Sequence, residues 1–275
     1  MITTNSLPKL ITFDGEARSG KGTIVQLVKD SLRDQAGLKV MLIDAGQVFR
    51  CLVVAATNRN IDLDDITAIN AFLSNAESVE SCVQFVKAVY HMEKVDRDAL
   101  LYSNEVSVGS AKVGASPLSQ SFKDELLKKW LRDAGTEGYD VVLLDGRALE
   151  VTGKMLESEE LCTFIAGFYF ICDPVVGAMR TLGFATQRYD ELLQQEQDSV
   201  DQLVLQIVER NRADREREVQ PIIAPVGAPT LILPDLPAAV TSNERYMAVI
   251  DTSKFMTKER MAAPVVQLVS TVLSS

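Results

Sequence analysis

A glycine-rich segment near the start of the chain has the residue types and spacing of a phosphate-binding loop. Residues 15–23 read Gly-Glu-Ala-Arg-Ser-Gly-Lys-Gly-Thr, which fits the pattern G-x-x-x-x-G-K. Glycines are needed there because backbone N–H groups must turn inward around a phosphate, and the lysine then reaches the β and γ oxygens. The segment predicts a site for the phosphates of a nucleotide, formed by Gly15, Ser19, Gly20, Lys21, Gly22 and Thr23.

An aspartate follows one of the apolar runs of the chain. Asp145 comes directly after the four apolar residues 141–144. A carboxylate at the end of a buried strand beside a phosphate loop can hold Mg²⁺, directly or through a water. By itself such an aspartate is more often a turn or helix-capping residue. Because the chain also contains the phosphate loop, we expect Thr23 and Asp145 to serve a Mg²⁺ ion.

Arginines are concentrated in a charged segment of the C-terminal half. Arg210, Asp214 and Arg217 are spaced i, i+4 and i+7, so one face of a helix would carry all three. The alternative interpretation, a solvated helical face with ion pairs along the helix, is the commoner role of such a run. Three further arginines adjoin apolar segments: Arg50, Arg147 and Arg180. Since arginines neutralise the charges that meet in phosphoryl transfer, their number favours a phosphate-lined cleft.

Apolar runs of strand length alternate with helical patterns along the chain. Strands are predicted at residues 9–13, 40–43, 141–144, 168–171 and 248–250. Helices are predicted at 24–32, 46–58, 119–135 and 258–273, with a mainly helical insertion at 62–101 and a loop-like, proline-rich stretch at 221–237. Strand–helix–strand order at this spacing requires a right-handed crossover and parallel strands. The predicted fold class is α/β, a P-loop NTPase-type parallel sheet flanked by helices.

Composition limits the partners that the chain could bind. It has 275 residues, with 28 Lys+Arg against 38 Asp+Glu and a net charge of −10. This acidity argues against nucleic-acid and membrane partners, and no apolar run approaches the roughly 18 residues that span a bilayer. Four cysteines without a CxxC pair argue against a zinc site, and a single histidine excludes a histidine-based triad. These features predict a cytoplasmic protein and leave its oligomeric state open.

Several further motifs resemble those of the cytidylate kinase family, a branch of the P-loop nucleoside monophosphate kinases. Residues 43–50 are similar to the family's L-D-S-G-x-x-Y-R, and residues 103–117 to its S-E-E-V…A-S-x-V-A-x-x-P. Residues 145–147 resemble the start of D-G-R-D, and residues 210–221 resemble R-x-x-x-D-x-x-R-x-x-x-P. The G-K-G-T loop at 20–23 is shared by many kinases, whereas the order and spacing of the other motifs are typical of this branch.

The resemblance implies transfer of a phosphoryl group from ATP, with Mg²⁺, to a small nucleotide substrate, by family analogy CMP or dCMP. It implies that the acceptor phosphate is held by Arg50, Arg147, Arg210 and Arg217, and the acceptor ribose by Asp214. Arg180 would be the first arginine of a mobile lid, and Thr181 stands where the family often has the second. The resemblance thus predicts one kinase domain over 1–275, with an inserted acceptor-binding region at 60–118. A lid and arginine-rich helix are predicted at 177–217.

The chain departs from the family pattern at positions that contact the nucleoside. The aligned residues are Ala45, Ala111, Gln120 and Ala148, where the family has Ser, Ser, Arg and Asp. Losing one substrate hydrogen bond costs about 1–3 kcal/mol, so acceptor selectivity is expected to change while the phosphate chemistry is retained. Residues 225–245 also form a longer connection than the family needs. Two alternatives stay open: a kinase for another small-molecule acceptor, and an ATP-binding regulatory protein without catalysis.

Overall fold

The structure, a computed structural model, describes residues 7–218, 220–236 and 245–274. Within these residues one six-stranded sheet has the strand order β2-β3-β1-β4-β6-β5. The strands are β1 (Lys9–Gly15), β2 (Val40–Asp44), β3 (Val141–Asp145), β4 (Thr163–Ile171), β5 (Thr230–Ile232) and β6 (Tyr246–Asp251). The prediction of an α/β fold with a parallel sheet is confirmed.

The described helices connect and cover the strands. They are α1 (Lys21–Asp34), α2 (Ala45–Thr57), α3 (Ile66–Ser74), α4 (Ala76–Tyr90), α5 (Lys94–Leu101), α6 (Asn104–Gly114), α7 (Pro117–Thr136), α8 (Leu149–Ser158), α9 (Pro174–Thr181), α10 (Gln194–Arg215) and α11 (Lys258–Ser274). None of these helices is both long enough and apolar enough to cross a membrane, as far as the structure describes the chain.

The centre of the sheet positions the phosphate loop. Residues 10–15 of β1 are all buried, as expected for a parallel strand covered on both faces. β1 pairs in parallel with β3 and β4, which places Phe13 beside Asp145 and Phe168. The carboxyl ends of these three strands therefore meet at one edge of the sheet, where β1 ends at Gly15.

The chain divides into two compact units. The first comprises Met1–Ile43 with Asp133–Ser275, and the second comprises Asp44–Arg132. In the first unit, apolar side chains of α1 and α11 pack with the buried strands in one core. The second unit has a core of its own, formed mainly by α2, α3, α4 and α7. The predicted insertion at 60–118 falls inside the second unit, and its role in binding an acceptor stays a prediction.

The sequence prediction of the strands is wrong at one edge of the sheet. β5 lies within 221–237, where a loop is expected, and it pairs in parallel with β6 so that Leu231 lies beside Ile250. A three-residue run among prolines has too weak a local pattern to predict a strand. The strand forms because it pairs with β6, and this pairing cannot be read from its own residues. The expected long connection at 225–245 lies partly outside the described residues, since 237–244 are not described.

Candidate active site

The phosphate loop leaves β1 at a position that only glycine occupies without strain. Gly15 has φ +138°, and a Cβ added there would lie 2.2 Å from the carbonyl oxygen of Phe170 on β4. At the other end of the loop, Gly20 has φ +80° and precedes α1. These two glycines let the backbone turn from the central strand into a helix, as a phosphate-binding loop requires.

The N-terminus of α1 is suited to an anion. The residue before this 14-residue helix, Gly20, makes no side-chain capping hydrogen bond, so the first N–H groups lack that partner. Such N–H groups and the helix dipole together favour a phosphate. Thr23 on the first turn is exposed. Ser19 is buried and its hydroxyl donates to the carbonyl of Glu16 at 3.0 Å, which braces the loop from within.

Lys21 and Asp145 form an ion pair beside the loop. The Lys21 ammonium donates to Oδ1 of Asp145, and each side chain is 15% exposed. A Cβ on Gly22 would lie 4.0 Å from Oδ2 of Asp145, so this carboxylate also adjoins the first turn of α1. The structure therefore brings Lys21, Gly22 and Asp145 together at the edge of the sheet where β1 and β3 end.

The donor set fits a Mg²⁺ ion that arrives with a nucleotide. Mg²⁺ in nucleotide sites takes most ligands from phosphates and waters and needs only one or two protein oxygens. Asp145 offers a carboxylate and Thr23 an exposed hydroxyl near the N-terminus of α1. Among the residues that the structure describes, no group of three or more His, Cys, Asp or Glu could hold a metal. One carboxylate and one hydroxyl match the one or two protein oxygens that such a Mg²⁺ ion needs.

Asp214 lies at the centre of three arginines. Its carboxylate is 7% exposed and forms an ion pair with Arg147, while Nε of Arg210 and Nε of Arg217 lie 3.4 and 4.0 Å from its oxygens. Arg147 follows β3, and α10 carries Arg210 and Asp214. The helix ends at Arg215, so Arg217 comes from the segment after it and not from the same helical face. We call Arg147, Arg210 and Arg217 around Asp214 the arginine cluster.

Positive charge exceeds negative charge in the arginine cluster. Burial and the charge of Arg210, with a smaller effect of Arg217, lower the pKa of Arg147 to about 9, although Asp14 opposes the shift. Burial also lowers the pKa of Arg217, again against the charge of Asp14. A phosphate would supply the missing negative charge and accept several charge-assisted hydrogen bonds from guanidinium groups. The arginine cluster is therefore suited to binding a phosphate.

Asp14 adjoins both the phosphate loop and the arginine cluster, and the sequence analysis missed it. Its carboxylate accepts hydrogen bonds from the N–H groups of Gly15 at 2.6 Å and Leu149 at 2.8 Å. Burial raises its pKa, while these hydrogen bonds and the charges of Lys21 and Arg147 oppose the shift. Gly15 and Glu16 of the loop line one cavity together with Arg147 and Asp214, so the phosphate loop and the arginine cluster are neighbours. The available signal was an aspartate at a strand end directly before the first loop glycine.

Arg180 contacts a different part of the first unit. Its guanidinium donates to the carbonyl oxygens of Thr252 and Lys254, the latter at 2.5 Å, just after β6. Nη1 of Arg180 also lies 3.7 Å from Sγ of Cys172, and burial lowers the pKa of Arg180. The contacts described for Arg180 thus do not join it to the arginine cluster, and its role in a lid stays a prediction.

Arg50 is held in a defined position within the second unit. Its Nη1 donates to the carbonyl of Leu101 at 3.1 Å and to Oγ of Ser107 at 2.9 Å. The guanidinium also stacks on the ring of Tyr102, 4.5 Å from the ring centre. Tyr102 in turn donates from its hydroxyl to Oδ2 of Asp44 at 3.3 Å. The sequence did not indicate Tyr102. Its contact with Arg50 joins α2 to the end of α5, and no local pattern predicts a contact between separate helices.

The four positions that depart from the family pattern lie in both units. Ala45 is buried at the start of α2, and Ala111 is half-buried on α6. Gln120 on α7 is buried, and its side-chain amide donates to the carbonyl of Gly114 at 2.6 Å. In the first unit, Ala148 has φ +56°, which aspartate and asparagine adopt more readily than alanine. The backbone at Ala148 is therefore compatible with the family's aspartate.

Comparison with known proteins shows which family the chain belongs to. The family model described as cytidylate kinase matches residues 11–239, which include the phosphate loop and the arginine cluster. The chain belongs to the cytidylate kinase family. A cytidylate kinase from Shewanella pealeana is 30% identical over 223 residues, which cover 78% of this chain and 83% of the relative. One from Bacillus pumilus is 24% identical over 213 residues, which cover 77% of this chain and 83% of the relative.

Membership of the cytidylate kinase family fixes the general chemistry. The chain is a nucleoside monophosphate kinase, and its family implies ATP, Mg²⁺ and small nucleotide substrates. The resemblance noted in the sequence motifs is confirmed, including the divergence, since identity to the relatives is about 30% or lower. Fold and family therefore agree with the presence of a phosphate loop and an arginine cluster in the first unit.

Proposed function

We propose that this protein transfers the γ-phosphoryl group of Mg-ATP to CMP or dCMP, which yields ADP and CDP or dCDP. The observation that carries the proposal is a cavity lined both by the phosphate loop, through Gly15 and Glu16, and by the arginine cluster, through Arg147 and Asp214. Two phosphate-bearing substrates need two such features side by side. The names of the relatives, cytidylate kinases, support the acceptor.

On the ATP side, the chain binds and orients the phosphates. The N–H groups of Gly15, Glu16 and Ala17 donate to other protein groups, so those from Arg18 to Thr23 surround the β-phosphate. Lys21 reaches the β and γ oxygens. Thr23 and Asp145 would hold Mg²⁺, which neutralises charge between the phosphates when it is bound. Asp145 holds the Lys21 ammonium in place before the nucleotide arrives.

On the acceptor side, arginines hold the phosphate that is attacked. Arg147, Arg210 and Arg217 bind it, and Asp214 orients their guanidinium groups and, by family resemblance, the ribose. Arg50 would contribute a further guanidinium, and Arg180 would act from a lid. Phosphoryl transfer proceeds without a covalent intermediate, because positioning and charge stabilisation provide most of the catalysis.

The direct test is acceptor-dependent consumption of ATP. Purified protein is assayed with Mg-ATP and CMP, dCMP, UMP, AMP, GMP, dTMP or no acceptor, with formation of ADP as the readout. We expect CMP or dCMP to give the highest rate, and the Lys21→Ala variant to lose it. Binding of ATP without stimulation by any nucleotide would contradict the proposal and leave another acceptor or a regulatory role.

A second test concerns the positions that contact the nucleoside. The double variant Ala148→Asp with Gln120→Arg should raise the preference for CMP over UMP by about tenfold, because one regained hydrogen bond is worth about 1–3 kcal/mol. The ratio of kcat/KM for the two acceptors measures this preference, and the control is Gln206→Arg, an exposed glutamine on α10. An unchanged ratio would show that these positions do not read the base.

A further inference from the structure

The phosphate loop is attached to α10 by a hydrogen bond that the roles proposed above do not use. The backbone N–H of Ala17 donates to Oδ1 of Asn211 at 2.8 Å, across 194 residues of sequence. Asn211 is 6% exposed, so the accepting side chain is shielded from water, while Ala17 is half-buried. The N–H of Ala17 is thereby turned toward a side chain of α10, which fixes the orientation of the first half of the loop.

A second contact joins the same two segments. Oε1 of Glu16 lies 3.2 Å from Nη1 of Arg215, and Oε2 of Glu16 accepts a hydrogen bond from the N–H of Cys172 at 3.3 Å. Arg215 is 48% exposed, so this ion pair by itself contributes little to stability. It nevertheless shows that consecutive loop residues lie against consecutive turns of α10.

The attached part of α10 also carries the centre of the arginine cluster. Asp214 lies three residues after Asn211, about one helical turn away, and directly before Arg215. Residues within one turn of a hydrogen-bonded helix move together. The hydrogen bond from Ala17 to Asn211 therefore links the position of the loop to that of the arginine cluster.

We propose that Asn211 is a positioning residue that sets the separation between the phosphate loop and the arginine cluster by holding Ala17. The inference rests on the proposed function, because this separation matters only when a phosphoryl group passes between the two sites. Near-attack geometry is sensitive to displacements of about 1 Å, which can cost about a hundredfold in rate. A buried asparagine that only satisfied one loop N–H would affect stability and leave turnover unchanged in folded protein.

The test uses three variants of the full chain. Asn211→Ala removes the accepting oxygen, Asn211→Asp keeps an accepting oxygen, and Gln206→Ala is the matched control, an exposed amide side chain on the same helix. Circular dichroism verifies that each variant is folded. The readouts are the exchange rate of the Ala17 amide proton by NMR, the affinity for a non-hydrolysable ATP analogue, and kcat and KM with CMP and Mg-ATP.

We expect Asn211→Ala to accelerate Ala17 exchange at least tenfold, to weaken binding of the analogue about fivefold, and to lower kcat at least tenfold, with a smaller change in acceptor KM. Asn211→Asp should keep slow exchange and a kcat within about threefold of the wild type. Its added negative charge should raise the ATP KM. Gln206→Ala should match the wild type in every readout.

Three results would overturn the inference. Slow exchange of the Ala17 amide proton in Asn211→Ala would show that the hydrogen bond to Asn211 does not protect this amide. Fast exchange with an unchanged kcat would show that the hydrogen bond has no positioning role. An equal loss of kcat in Asn211→Asp and Asn211→Ala would show that the accepting oxygen is not what matters. A wild type that turns over no nucleotide while Ala17 stays protected would instead overturn the proposed function, and the positioning role with it.

Discussion

Asp214 is the residue that keeps the arginine cluster assembled before a substrate is present. Three guanidinium groups near one another repel, and the carboxylate of Asp214 partly compensates that repulsion. Its compensation is incomplete, since the pKa of Arg147 is lowered to about 9 by burial and by the neighbouring arginines. The arginine cluster therefore keeps an excess of positive charge that an acceptor phosphate can neutralise.

The lowered pKa of Arg147 predicts the alkaline limit of acceptor use. Below about pH 9 the guanidinium is protonated and attracts phosphate, and above it the free enzyme loses this charge. We expect kcat/KM for CMP to fall as pH rises through about 9, because this ratio reports ionisations of the free enzyme. In the complex, the bound phosphate favours the charged form, so kcat at saturation should fall only at higher pH.

The measurement is a pH profile from 7 to 10.5 for wild type and for Arg147→Lys. The lysine variant should show its own, different alkaline limit, while Gln206→Ala should follow the wild type. A wild-type kcat/KM that stays level up to pH 10 would contradict the role given to Arg147.

At the scale of elements, the junction between β1 and the phosphate loop depends on close contact with β4. The backbone of Phe170 occupies the space that a Cβ on Gly15 would need. The N–H of Glu16 donates to the carbonyl of Phe170 at 2.8 Å, which ties the loop to β4 directly after the glycine. The orientation of the loop is thus set by strand packing before any ligand binds.

Substitution of Gly15 should therefore destabilise the first unit. Gly15→Ala introduces a strained φ and a contact at 2.2 Å with backbone that cannot rotate away, at a cost of about 3 kcal/mol or more. The matched control is Gly37→Ala, where φ is +66° and no atom lies within 4 Å, so about 1–2 kcal/mol is expected. Unfolding in urea measures both values. Equal destabilisation by the two substitutions would contradict the packing argument.

Local pattern explains which elements and site residues could be predicted from the sequence. The loop spacing, the run before Asp145 and the i, i+4 relation of Arg210 to Asp214 are all set by neighbours in the chain. β5 and the attachment of Ala17 to Asn211 depend on residues that are distant in sequence, so no local pattern indicates them. The sequence predicts that Arg210, Asp214 and Arg217 share one helical face, but α10 ends at Arg215. Arg217 lies near Asp214 because of the segment that follows the helix, and not because of helical spacing.

At the scale of the whole molecule, most of the residues proposed to bind phosphates lie in the first unit. The loop, Asp145 and the arginine cluster all belong to Met1–Ile43 with Asp133–Ser275. Arg50, Ala45, Ala111 and Gln120 belong to Asp44–Arg132, where Arg50 is held by hydrogen bonds and a ring contact of that unit. The positions that depart from the family pattern thus lie in both units, since Ala148 belongs to the first, whereas the loop and the arginine cluster lie in the first unit alone.

The central claim is that the arginine cluster binds the acceptor and the phosphate loop binds ATP. Steady-state kinetics of Arg217→Ala test it most directly, with Arg212→Ala as the control, since Arg212 is an exposed arginine paired with Glu209 and Glu216. Loss of a charged hydrogen-bond donor to the phosphate costs about 1.5–3 kcal/mol, so we expect acceptor KM to rise and kcat to fall, together lowering kcat/KM for the acceptor by at least tenfold. ATP KM should change less than twofold, and Arg212→Ala should match the wild type. A rise in ATP KM with an unchanged acceptor KM would contradict the account.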